Sequence, residues 1–310
     1  MDAKFEYDRF GPWILEVNEK HGMPPLFESY VNSGDPPVLC IKIPRDIERR
    51  KAHPGMHLYD YVLSMFNDRL QVLERQGDTV NAIDVRPEDI RCIEVQEDLL
   101  TGRLRLYTPG KTLSVRFNTV STDYILKLTN LVRQNYTKPS ESKALEELSY
   151  HPEETMSHTF TVLLSKEIAA DSNTRVLVMQ NETDAGLSDG NMLRLLKNAV
   201  TGKKLLESMI LFNGKELIVF YRTPFYRYRK QAIYSINKLY IPVDKLTGIA
   251  IDKDNTSARI VRLTLTVSQH IFPLMLSQNN PSLMPFIGAI TDATGLELHK
   301  GRNYLDGESD

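Results

Sequence analysis

The sequence predicts an α+β protein, mainly antiparallel β, built from two successive copies of a curled sheet that each end in one helix. Three observations carry that reading. The chain contains an internal repeat, since "VLSMFNDRLQVLERQG" near residue 60 and "MILFNGKELIVFYR" near residue 209 share one pattern. Apolar residues alternate with period two through several short runs, as half-buried strands require. Each copy closes with apolar residues at helical spacing.

The elements follow in the same order in both copies. Upstream of each lies an apolar strand, "VLCIKI" in the first and "RVLVMQ" in the second. A short helical piece is expected after each; "DGNMLRLLKNAV" is the clearer, with Asp189 as cap and Gly202 near its end. Two strands then meet at a Phe-Asn reversal, Phe66-Asn67 and Phe212-Asn213, where asparagine tolerates left-handed backbone angles. Next come "IDVRPEDIRCIEV" and "YIPVDKLTGIAI", each a strand end, a proline turn and a new strand. Aligned, they set Val85, Ile90, Ile93 and Val95 against Ile241, Leu246, Ile249 and Ile251. Two alternating strands follow in each copy, "GRLRLYT" with "KTLSVRFNT" and "ARIVRLTLTV" with "HIFPLML". The first closing helix carries Tyr124, Ile125, Leu128, Leu131 and Val132 on one face, with Ser121 placed to cap it. The second spans about 282–294 with Phe286, Ile287 and Ile290, stops before Gly295, and has Pro285 near its start. The expected organisation is a first domain over 1–136 with an N-terminal extension, a polar linker over 137–145 and a second domain over 146–310. A pair of β-sandwich domains is the structural alternative.

At this point the chain resembles the pleckstrin-homology-like domains of bacteria. In those families a strand hairpin leads to an I-P-x-x-x-I-x-x-I turn, and a helix follows the last strand. "YIPVDKLTGIAI" follows that turn, while "DVRPEDIRCIEV" shifts its proline by one place. The resemblance covers roughly 60–135 and 206–292, and implies two partly open β-barrels in tandem, each closed by its C-terminal helix.

Composition narrows the function classes. The net charge of −2 over 310 residues argues against nucleic acid as a partner. Two cysteines, Cys40 and Cys92, sit in apolar strand-like runs and read as reduced, buried thiols. The polar, acidic start is unlike a secretory signal, and no apolar stretch approaches the length of a transmembrane segment. The expected location is cytoplasmic.

Catalytic chemistry finds no pattern to rest on. His53 and His57 have i, i+4 spacing, but Pro54 and Gly55 break the helix that a metal pair would need. His151 and His158, with Glu153 and Glu154 between them, read as a solvated acidic linker edge. No G-x-S-x-G elbow, dinucleotide fingerprint or P-loop occurs. Lys42 could share a face with Cys40, which alone is thin support for a thiolate. The expectation is a protein with no cofactor, no metal and no catalytic residue; an enzyme with a site between its halves stays as a lower-ranked alternative.

The strongest binding signal is "FYRTPFYRYRK", residues 220–230, with four cations, five rings and no acid. From Lys203 to Arg262 there are twelve Lys or Arg against five Asp or Glu. Leu70 to Val85 spans fifteen positions and Leu217 to Ile241 spans twenty-four, so the second copy has a longer hairpin that holds the cluster. Strand alternation would put Arg227 and Arg229 on one face and Tyr226 and Tyr228 on the other. Guanidinium groups so placed suit an anionic headgroup, a phosphate or an acidic peptide. Lipid-binding relatives carry a basic residue, a variable loop and then basic-x-Arg, a form that Lys215, Arg227 and Arg229 fit. The tryptophan of their closing helix is missing, Trp13 being the only one in the chain. The plainer reading is a solvent-facing hairpin with cross-strand tyrosine pairs. The functional expectation is a scaffolding protein whose long hairpin contacts a protein partner or a second copy of itself. The alternative is peripheral attachment to anionic lipid through Lys215, Arg222, Arg227, Arg229 and Lys230.

Overall fold

The computed structural model describes residues 7–8, 10–30, 34–136, 143–148, 156–185, 202–228, 231–254 and 257–301. The chain divides into two compact units, Met1–Thr137 and Lys138–Asp310.

The first unit opens with β1 (Leu15–Glu16) and continues through β2 (Leu39–Pro44), β3 (Tyr59–Met65), β4 (Leu70–Gln76) and β5 (Thr79–Val85). These form one antiparallel sheet in chain order. Leu70 pairs with Val85 and Met65 with Leu70. A 3-10 turn at Pro87–Asp89 then redirects the chain into β6 (Cys92–Asp98), β7 (Thr101–Thr108) and β8 (Lys111–Asn118). Proline lacks an amide to donate, so the turn ends one ladder and lets another begin. In β8 Leu113, Val115 and Phe117 are buried while Thr112, Ser114 and Arg116 are exposed, which is the pattern of a sheet with one dry face. Gly102 pairs with Phe117, and a Cβ there would overlap the ring; glycine makes room for the aromatic side chain.

Helix α1 (Thr122–Asn135) closes the first unit, packing Ile125, Leu128 and Val132 inward against β3 and the Pro87 turn. Ser121 does not cap it: its hydroxyl accepts from the Ile14 amide at 3.2 Å, and the cap is Asn118, which accepts from Val120 N at 3.1 Å and starts a 3-10 turn. The N-terminal extension is part of the core. Phe10 and Phe27 join Cys40, Leu58, Tyr59 and Val62 in one cluster, each such burial contributing about 1.5–3 kcal/mol.

The second unit repeats this order. After α2 (Lys143–Glu147) and α3 (His158–Ala170) come β9 (Arg175–Gln180), β10 (Thr183–Asp184), β11 (Lys204–Leu205), β12 (Ser208–Phe212), β13 (Glu216–Tyr221), β14 (Tyr226–Arg227) and β15 (Ile236–Pro242). Strands β9, β12, β13 and β15 pair antiparallel, with Leu217 opposite Ile241. A 3-10 turn at Val243–Lys245 leads to β16 (Gly248–Asp254), β17 (Ser257–Val267) and β18 (His270–Ser277). Helix α4 (Leu283–Thr294) buries Phe286, Ile287 and Ile290, holds Pro285 in its first turn, and ends on Gly295 at φ 68°. β19 (Leu298–Lys300) then pairs parallel to β16.

The architecture is thus mainly antiparallel α+β, and two further expectations need correction. Among the described residues no strand pairing closes the sheets of either unit into a barrel. The reversal after Phe212 uses Gly214, at φ 90°, for its left-handed residue; Asn213 holds the turn through its side chain, which accepts from Glu216 N at 3.1 Å. The linker expected over 137–145 overlaps α2 from Lys143, because Leu145 is fully buried and α2 packs on α4. The helix expected in "DGNMLRLLKNAV" lies outside the described residues, as does its cap Asp189.

Candidate functional site: the insertion between β13 and β15

In the first unit Gly77 and Asp78 alone join the paired ends of β4 and β5. In the second, residues 222–235 separate β13 from β15, so the extra chain and the basic-aromatic cluster coincide. This insertion is not a projecting hairpin. It folds back onto its own unit.

Its base is clamped by polar groups. The Ser235 hydroxyl accepts from Thr223 N at 2.9 Å and donates to Thr223 O, while Asn237 Nδ2 donates to Thr223 Oγ1 at 3.0 Å. Arg222 donates from Nη1 to Ile233 O and Ser235 O, at 3.3 and 3.4 Å. Its Nη2 lies 3.6 Å from Glu207 Oε1, and its guanidinium lies over the Phe160 ring. Glu207 also accepts from the Ser157 hydroxyl, just before α3.

The middle of the insertion becomes a strand. β14 pairs antiparallel with β11, Leu205↔Tyr226 and Lys204↔Arg227, and β11 pairs with β10. Phe225 and Tyr226 pack on a small cluster of Ala185, Leu205, Ile260 and Met275. The Tyr226 hydroxyl donates to Asp254 at 3.0 Å, and the Lys203 ammonium sits 4.0 Å from the centre of the Tyr226 ring. Arg227 grips Glu182 with both ends of its fork, Nε to Oε2 at 2.8 Å and Nη2 to Oε1 at 2.7 Å. Lys204 Nζ joins at 3.0 Å from Glu182 Oε1. The Arg227 hydrogen bonds hold the Glu182 carboxyl below the usual carboxylate range, and Glu182 in turn raises the Arg227 guanidinium.

The predicted binding residues therefore separate. Arg222, Tyr226 and Arg227 are engaged within the unit, whereas Tyr228 is exposed, as is Tyr234 further along. Arg229 and Lys230 lie outside the described residues. Lys215 is in the β12–β13 turn, where its carbonyl accepts from Val243 N. The full length of β13 lies between it and the insertion, roughly 20 Å at about 3.3 Å per residue. Lys215 and Arg222 thus stand at opposite ends of β13. Sequence reasoning missed Glu182 because the window that showed a basic excess began at Lys203, beyond it; Glu207 and Asp254 lay inside that window but entered only as a charge count, with no sign of which cation or hydroxyl each would meet.

The other candidates are placed as follows. Cys40 and Cys92 are buried and outside any disulfide, and burial pushes the Cys40 thiol up, away from the reactive thiolate. Lys42 donates to Gly22 O at 2.9 Å and lies over the Tyr59 ring. His53 is exposed; His57 Nε2 is 3.7 Å from Asp78, and Gly55 between them has φ 85°. His158 is exposed at the start of α3, and His151 lies outside the described residues. Among the described residues no group of three His, Cys, Asp or Glu is arranged to hold a metal ion, and no helix is long and apolar enough to cross a membrane.

No family model matches the sequence, and no curated protein matches it. Among solved structures, one similarity is to a DUF1696 family protein with a pleckstrin-homology domain from Shewanella loihica PV-4, determined at 2.00 Å. It is 16% identical, with a TM-score of 0.20, and covers 37% of this chain and 98% of its own.

Proposed function

We propose that the chain is a non-enzymatic binding protein of two pleckstrin-homology-like units, which makes contact with a protein partner or a second copy of itself through the β13–β15 insertion. The pleckstrin-homology-like reading rests on element order: β2–β5 in the first unit and β9, β12, β13 and β15 in the second pair antiparallel, and each set leads to a 3-10 turn, three more strands and a helix. The functional reading rests on one observation. The described cations of the insertion, Arg222 and Arg227, face Glu207 and Glu182, whereas Tyr228 and Tyr234 are 52% and 59% exposed. Among the described residues of the insertion the exposed large hydrophobic side chains are aromatic, and exposed tyrosines are favoured at protein interfaces. An anionic headgroup would have to displace carboxylates already bonded to those arginines.

Light scattering on the full chain tests this together with cosedimentation on phosphatidylserine vesicles. The expected result is a mass above one chain that falls for Tyr228→Ser/Tyr234→Ser, with no vesicle binding at low salt. Vesicle binding that weakens with salt and is lost in Arg227→Ala would transfer the role to the membrane reading. A strict monomer at working concentration would rule out self-association and leave a different protein as the partner, to be sought with the same tyrosine variants.

A further inference from the structure

β6, β7 and β8 of the first unit pair antiparallel, so their residues line up in rows across the three strands. On the face away from Leu104 and Val115, one row reads Gln96, Arg103, Arg116. Arg103 is half-buried and Arg116 exposed. Side chains directly opposite each other start about 4.5–5.5 Å apart, and like charges so placed are destabilising. Among the described residues neither arginine makes a hydrogen bond or an ion pair. The neighbouring row is arranged otherwise, since Arg105 stands opposite Glu94 and donates to it at 2.6 Å. Two acids lie further off. Asp98 is opposite Thr101, two places along β6 from Gln96. Arg116 is within electrostatic reach of Tyr61, whose hydroxyl donates to Glu74 at 3.2 Å. The second unit supplies a control. Val95 and Ile251 occupy equivalent places in the two copies, and the next row there reads Asp252, Arg262, Met275. That arginine has an acid on one side and an apolar residue on the other. The opposed arginines are therefore not a requirement of the fold.

We propose that this row is a binding site for a phosphate monoester, held as a dianion between the Arg103 and Arg116 guanidinium groups. Charge decides the ligand class. A phosphate monoester carries about −1.5 to −2 at pH 7 and offers three strong acceptor oxygens, which match two guanidinium forks. A carboxylate or a phosphodiester carries a single charge and leaves one arginine unmatched. The bound dianion turns the repulsion between the arginines into two charge-assisted contacts. Side-chain amides flank them on the same face: Gln96 beside Arg103, and Asn118 two places beyond Arg116. Asn118 uses its Oδ1 to accept from Val120 N, which leaves its Nδ2 to donate. Arg116 is exposed on β8, the last strand of its sheet, so a phosphate on a small soluble molecule and one on a lipid headgroup both have access. The row belongs to the first unit and the tyrosines of the insertion to the second, so either reading can fail without the other.

The test titrates the full chain with phenyl phosphate and, separately, with benzoate, at constant ionic strength. The readout is the NMR signals of the arginine Nε–Hε groups. The expected result at pH 8 is a saturable shift of Arg103 and Arg116, with phenyl phosphate binding at least tenfold tighter than benzoate. Binding weakens at pH 5, below the second ionisation of a monoester at about 6, where the ligand keeps one charge. Gln96→Asp and Arg116→Met give the row the residues of the second unit, and each abolishes the shift of the arginines that remain. If Arg116→Met does not fold, Gln96→Asp decides. Vesicles of phosphatidylcholine with phosphatidic acid, whose headgroup is a monoester, distinguish the carrier. Cosedimentation that is lost in Gln96→Asp supports the site with a lipid ligand; a phenyl phosphate shift without cosedimentation supports it with a soluble one. The proposal is overturned if phenyl phosphate binds no tighter than benzoate, or if variants with native circular dichroism bind it as tightly as the unsubstituted chain.

Discussion

The Arg227–Glu182 pair offers a direct measurement of whether the basic cluster is committed to the fold. The perturbation is a double-mutant cycle of Arg227→Ala and Glu182→Ala. Two charge-assisted hydrogen bonds of 2.7 and 2.8 Å join the pair, yet both side chains keep about a quarter of their surface in water, at 28% and 27%. Fully exposed pairs contribute 0.2–1 kcal/mol, and bidentate geometry places this one at the upper end of that range, near 1 kcal/mol. Lys204 stays beside Glu182 in Arg227→Ala and offsets part of the loss. The assay is hydrogen exchange at the Leu206 amide, which donates to Phe225 O at 2.8 Å and reports opening of β14 from β11. A coupling of about 1 kcal/mol corresponds to roughly fivefold faster exchange in either single variant, with no further increase in the double. The pH dependence has a fixed sign. Because the folded Glu182 carboxyl lies below its unfolded value, its stabilisation is complete above about pH 5 and is lost as pH falls through the lowered folded value. Arg227→Ala therefore flattens the acid limb of protection at Leu206. Unchanged exchange in Arg227→Ala, with an unaltered acid limb, would refute the structural role and return Arg227 to the list of groups available for a ligand.

Two further outcomes follow from the first principles of the fold. Gly214→Ala lowers the urea midpoint by an amount equivalent to about 1 kcal/mol, since φ 90° strains any residue with a Cβ even though space there is open; an unchanged midpoint would contradict the turn geometry. Native protein at pH 8 shows slow reaction of Cys40 and Cys92 with a thiol reagent and full reaction after denaturation, because both thiols are buried and Cys40 is held protonated; rapid labelling of the native chain would contradict this.

The strand registers, Leu70 opposite Val85 and Leu217 opposite Ile241, came from the structure. The succession of strands and reversals was legible because alternation and turn residues act between neighbours in the chain. The buried set Val85, Ile90, Ile93 and Val95, matched by Ile241, Leu246, Ile249 and Ile251, was readable for the same reason. The fate of the cations was not. Arg227 finds Glu182 forty-five positions away through strands of two residues, too short to show any period. Leu145 sits in a polar, serine- and proline-containing stretch, so nothing local marks it as a core residue. β19 leaves no alternation in three residues, and its parallel partner is known only once the helix before it has been placed.

By itself the amino-acid sequence determined the doubled order of elements, because period, turn chemistry and proline punctuation act over a few residues and need no knowledge of the rest. It also located the longer connection between β13 and β15 that the first copy lacks. Only tertiary structure decided what that difference presents to the outside. Charges pair by distance in space rather than along the chain, so Arg222 and Arg227 meet Glu207 and Glu182 while Tyr228 and Tyr234 face water.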